Sequence, residues 1–147
     1  MDIRLSIIFI AVSLATLQAK ERQHKSVPCV GKHVYNATAT AYYPSHHPNE
    51  DGFVDMRGKK LRTLQDYIDG RARYVTISID PSLKIPYGTR VCIPQLNKHY
   101  RRQIPFEVRD ASDTVWRRRY TRVEICVRSE EDSYDLAVNR NVTLIFA

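Results

Sequence analysis

Three carboxylates are spaced across the alternating segments between Tyr74 and Val127. Asp80 ends Tyr74-Val-Thr-Ile-Ser-Ile-Asp80, Asp110 ends Ile104-Pro-Phe-Glu-Val-Arg-Asp110, and Glu124 sits inside Thr121-Arg-Val-Glu-Ile-Cys-Val127. Acids separated in sequence but set on strands can converge when the strands pair. Converging carboxylates suit the cleavage of a glycosidic bond, where one protonates the leaving oxygen and others stabilise positive charge on the sugar ring. Other chemistries have less to stand on. No Gly-x-Ser-x-Gly nucleophile motif occurs, the cysteine spacings match no zinc pattern, and neither a metal nor another cofactor is expected. His46-His47 with Glu50 and Asp51 are the nearest thing to a metal cluster, and adjacent histidines in a Pro-rich loop read better as solvated.

The elements that must position these acids follow from hydrophobic period. Period-two alternation predicts strands over 34–42, 74–79, 90–93, 104–109, 121–127 and 142–146. Leu61, Leu64, Tyr67 and Ile68 fall at helical spacing and Gly70 stops them, which predicts one short helix. Residues 129–139 have room for a helical turn, and 44–52, dense in Pro, Ser, Asn and Gly, read as a surface loop. Six short strands with one helix argue for a small, mainly β barrel rather than a doubly wound parallel sheet.

Residues 1–19 read as a signal peptide: a weakly basic start at Met1-Asp-Ile-Arg4, an apolar run from Leu5 to Leu17, and Ala19 for cleavage. A signal anchor is the alternative. Residues 20–33 then form a flexible lead-in and 34–147 a single barrel domain, so the mature chain is expected to be secreted, or periplasmic in a bacterium. The formal net charge of +7 attracts anionic polymers, among which wall polysaccharide, membrane surface and nucleic acid all qualify. Of the three cysteines, Cys92 and Cys126 each lie in a strand-like segment and are the expected disulfide pair, leaving Cys29 over; a bond from Cys29 to either remains open. Two glycosylation sequons occur, Asn36-Ala-Thr38 and Asn141-Val-Thr143.

With the elements placed, the chain resembles the double-psi β-barrel of the three-aspartate domain family, whose enzymatic relatives are the membrane-bound lytic transglycosylase A group. The resemblance covers roughly residues 37–147. It rests on Thr40-Ala-Tyr42, on Gly58-Lys-Lys-Leu61 with the following helix, and above all on Ile77-Ser-Ile-Asp80 and Ile85-Pro-Tyr-Gly-Thr89. Further on, Asp110-Ala-Ser-Asp113 keeps the family's aspartate but lacks its two glycines. Arg122-Val-Glu-Ile125 has Glu124 where the family has its third aspartate.

The resemblance implies a six-stranded double-psi barrel and a peptidoglycan-directed activity. In lytic cleavage one carboxylic acid protonates the leaving oxygen, then helps the sugar's own hydroxyl close an anhydro ring. By position Glu124 takes that role, with Asp110 supporting and Asp80 shaping the site. Tyr42, Trp116, Arg117 and Tyr120 are the candidate substrate-binding residues, the aromatic rings stacking on sugar faces and the arginine holding carboxylates. The expected partner is peptidoglycan or another anionic wall polymer, met by a monomer that neither inserts stably in a membrane nor binds nucleic acid. The alternative is a non-catalytic carbohydrate-binding or wall-loosening module of expansin or barwin type on the same barrel.

Overall fold

The computed structural model describes residues 29–45 and 52–147. Residues 1–19, expected to be a signal peptide, and the His46-His47 loop lie outside the described residues. Six strands form: β1 (His33–Tyr42), β2 (Val75–Ser78), β3 (Thr89–Cys92), β4 (Phe106–Asp110), β5 (Arg122–Cys126) and β6 (Arg140–Phe146). They close a barrel in the order β1-β5-β2-β4-β3-β6. The mainly β, six-stranded barrel read from the sequence is therefore the observed fold.

Alternation explains the core. Ala37 and Ala39 on β1, Val75 and Ile77 on β2, Phe106 and Val108 on β4, Val123 and Ile125 on β5, and Val142 and Leu144 on β6 all lie in one buried cluster. The residues between them face the other way.

Pairing joins two interleaved halves. β1 runs parallel to β5 and antiparallel to β6, β2 runs parallel to β4 and antiparallel to β5, and β3 is antiparallel to both β4 and β6. Exchanging β1, β2 and β3 for β4, β5 and β6 leaves this scheme unchanged, a two-fold relation within one chain. β1 and β2, and likewise β4 and β5, follow each other in sequence without pairing, and the long connections between them carry the helix Leu64–Ile68 and the cleft-lining loops.

The expected helix is α1 (Leu64–Ile68), started by a capping box in which the Thr63 hydroxyl accepts from the Asp66 amide and the Asp66 carboxylate accepts from the Thr63 amide. A second helix, α2 (Pro94–Tyr100), fills the connection between the antiparallel neighbours β3 and β4. It opens on proline and closes at Arg101 in the left-handed region. Asn97 on α2 is buried, and its side-chain carbonyl accepts from the Ile104 amide at 2.9 Å, which fixes the approach to β4. The turn expected in 129–139 is the 3-10 segment Glu131–Tyr134.

The disulfide expectation is corrected. Cys29 bonds Cys92, with Cα atoms 5.7 Å apart, and Cys126 is a free, fully buried thiol. Strand order gives the reason. β3 and β5 lie across the barrel from one another, with two strands between them in either direction, so Cys92 and Cys126 cannot meet. Residue 33 at the start of β1 pairs with Phe146 at the end of β6, and Ile145 pairs with Cys92, so the chain entering β1 passes Cys92. Gly31 makes that passage possible: a Cβ there would stand 2.2 Å from the Phe146 carbonyl oxygen.

Candidate functional site

Strand register brings two of the three acids together. Thr40 on β1 pairs with Glu124 on β5, Glu124 with Ser78 on β2, and Ser78 with Asp110 on β4. Paired residues share a face of the sheet, so this row of four points away from the core residues Ile77 and Ile125. Glu124 and Asp110 flank Ser78, their Cα atoms about 10 Å apart on two inter-strand spacings. A β-bulge is what delivers Asp110. Ile77 pairs with Val108 but Ser78 with Asp110, so Arg109 is the extra residue; in an unbulged ladder Arg109, not Asp110, would stand beside Ser78.

The two carboxyl groups line an open cleft of about 640 Å³, together with Tyr42, Ser112, Asp113 and Trp116. Both are largely buried, Glu124 with 6% and Asp110 with 8% of its surface exposed. Each is held by a hydroxyl. Ser112 Oγ donates to Glu124 Oε2 at 2.6 Å, and Tyr42 Oη donates to Asp110 Oδ2 at 3.0 Å. Burial, reinforced by Cys126, Asp110 and Glu124 nearby, pushes the Tyr42 phenol well above its usual value, so it stays a proton donor. Burial likewise pushes the Cys126 thiol up, which leaves it an inert neighbour rather than a nucleophile. Ser78 Oγ, buried between the acids, has no hydrogen-bond partner among the described residues. Trp116, half exposed, supplies the large aromatic surface of the cleft.

Asp80 is placed elsewhere. It caps the 3-10 turn Pro81–Leu83, with Oδ1 accepting from the Ser82 amide at 2.9 Å and Oδ2 from the Arg119 amide at 2.8 Å. Burial raises its pKa, but hydrogen bonds from Ser82 and from the Arg119 and Arg117 amides outweigh that and hold the carboxyl below the usual range. Asp80 is therefore a fixed anion that anchors the loop after Trp116 rather than a member of the row. That loop needs an anchor, since Arg117 and Arg119 both take positive φ, at 59° and 51°, at a cost of about 1–3 kcal/mol each.

A pH test follows from the sign of this shift. A carboxyl depressed on folding contributes stability above its unfolded pKa of about 3.9, lost as pH falls through the folded value. Asp80→Asn is expected to cost about 1–3 kcal/mol at neutral pH, as charged hydrogen bonds are lost. Urea unfolding should show the gap to wild type closing as pH drops below 4; a gap that stays constant there would refute the assignment.

Tyr120 and Arg117 do not line the cleft. The Tyr120 ring stacks on Tyr35 with centroids 3.7 Å apart, meets Phe146 edge-on and packs against the core, and Arg117, three residues earlier, is exposed. The sites expected from sequence thus divide: Glu124, Asp110, Tyr42 and Trp116 come together, while Asp80, Arg117 and Tyr120 build and hold the neighbouring loop.

The structure adds residues that sequence reading missed. Ser112 controls one oxygen of Glu124, and Ser78 sits between the acids. Beside the cleft, Asp55 accepts from the Tyr87 hydroxyl and from the Arg57 and Lys59 amides. Arg109 donates to Tyr87 at 3.0 Å and to Glu107 at 3.2 Å and lies over the Tyr74 ring at 3.9 Å. This network clamps the bulged residue from outside the row. Among the described residues, no group of three or more His, Cys, Asp and Glu side chains stands where it could hold a metal ion, and no helix is long and apolar enough to cross a membrane.

The sequence matches no known protein-family model, and no curated protein matches it either. What fold and site define is a disulfide-stapled, six-stranded β-barrel with a cleft in which two buried carboxylates share one strand-pairing row.

Proposed function

We propose that this chain is a secreted, polysaccharide-directed protein that cleaves glycosidic bonds in a cell-wall glycan, with Glu124 as the acid. One observation carries the reading: Glu124 and Asp110 lie in a single pairing row either side of Ser78, within a cleft bearing a half-exposed tryptophan. Trp116 gives a sugar ring an apolar face to stack on. Glu124 donates its proton to the leaving oxygen, and Asp110, braced by Tyr42, sets negative charge beside the sugar ring as positive charge grows there. With the proton gone, the Glu124 carboxylate takes one from the sugar's own hydroxyl as the anhydro ring closes. The resemblance to lytic transglycosylases points to peptidoglycan, and the net charge of +7 suits an anionic wall.

The experiment is digestion of purified peptidoglycan by the oxidised protein, with products read by mass spectrometry. Anhydromuropeptides are expected. Reducing-end products would replace the lytic step with hydrolysis, and no products at all would remove catalysis from the reading.

A specific contact favours the second reading, a binding module without cleavage. Ser112 occupies Glu124 Oε2 at 2.6 Å, in the loop where the family pattern has glycines, so a substrate must share or displace that hydroxyl. Sedimentation with the wall polymer, without cleavage, would select it.

A further inference from the structure

The sequons Asn36-Ala-Thr38 and Asn141-Val-Thr143 fall on adjacent antiparallel strands in a reciprocal register. Asn36 pairs with Thr143 and Thr38 with Asn141, so the asparagine of each sequon stands opposite the threonine of the other. Their side chains share one face of the β1·β6 ladder, since Ala37 and Val142 between them turn into the core. Asn36, Thr38 and Asn141 are exposed. The four line a shallow, uncharged groove with Gln95, distinct from the acid cleft.

We infer that this face is a modification site, entered in the secretory lumen and carrying N-linked glycans at Asn36 and Asn141. The reaction needs a polyprenyl-diphosphate-linked oligosaccharide as donor. The Asn Nδ2 forms a bond to the sugar C1, the C1–oxygen bond to the diphosphate breaks, the polyprenyl diphosphate leaves with that electron pair, and one amide proton passes to the transferase's base. The folded contacts tolerate the product. Thr38 Oγ1 donates to Asn141 Oδ1 at 3.3 Å, which leaves Nδ2 for the sugar. Thr143 is held separately, by the Gln95 amide group through its hydroxyl and its own N–H, both at 3.0 Å. Asn36 has no side-chain hydrogen bond among the described residues that a glycan would break. This inference does not depend on the cleft being catalytic.

The test is translation of the full chain with microsomal membranes, followed by protease protection and peptide-N-glycosidase treatment. A protected product that loses two glycan increments on deglycosylation is expected. Asn36→Gln and Asn141→Gln should each remove one increment, and the double variant both. A protected but unmodified chain overturns the inference, as does a chain left accessible to protease. One increment, abolished by a single variant, upholds that site and withdraws the other.

Discussion

Replacing Glu124 by glutamine is expected to lower cleavage of the wall glycan by at least about 100-fold, the lower end of what a positioned general acid contributes, while leaving thermal stability nearly unchanged. Glutamine keeps the length and an oxygen for Ser112 Oγ, which donates to Glu124 at 2.6 Å, so the row and its packing survive. What is lost is the transferable proton. The diagnostic is a split between the two measurements: anhydromuropeptide release collapses while binding to sedimented wall and the unfolding midpoint hold. Equal release by wild type and variant would strip Glu124 of its role, and a collapse of stability would mark it as a structural residue. Ser112→Gly provides the complement. It frees Glu124 Oε2 and reopens the loop, so it should raise turnover if Ser112 restrains the acid.

The second large effect concerns the staple. The Cys29–Cys92 bond closes a separation of 63 residues, for which chain entropy predicts about 4 kcal/mol of stabilisation. Against a total stability of about 5–15 kcal/mol for a domain, that is a major share. Paired Cys29→Ser and Cys92→Ser substitutions should lower the melting temperature by roughly 10–20 °C. Peptide mapping under non-reducing conditions should return a Cys29–Cys92 cross-linked peptide. Cys126 should resist thiol reagents in the native protein and react once the chain is denatured, because it is fully buried. A Cys92–Cys126 peptide would contradict the strand order itself.

How much was legible beforehand depended on whether the information is local. All six strands were visible because side-chain alternation is written residue by residue, and α1 because its apolar spacing and Gly70 are local too. The helix α2 was passed over although Pro94 marks its start and Lys98 and His99 sit in its last turn; seven residues between two strands show too little periodicity to announce themselves. The disulfide was misjudged for a different reason. Its geometry depends on which strands are neighbours, and that order is a property of the closed barrel. Asp110 shows the finest limit: its place beside Ser78 depends on one bulged residue, Arg109, held by Tyr87, Glu107 and Tyr74 through contacts that reach back as far as Tyr74. Asp80 was expected to shape the site, and what it does instead, capping Pro81–Leu83 and holding the Arg119 amide, depends on a loop 39 residues further along the chain.

The interleaving of strands has a consequence for how this molecule comes into being. Among the described residues, every ladder joins a strand from β1–β3 to one from β4–β6, and no strand hydrogen-bonds with another from its own half. The chain is in effect a heterodimer of its own two halves, tethered through α2. Neither half has a sheet to rest in alone, so partially made chains carry nothing but unpaired edges until β4 and β5 arrive. Assembly is therefore dominated by distant contacts and slow for the chain's size, and the barrel is an all-or-none object: cut in the α2–β4 connection, its two pieces would have to find each other to regain any strand at all.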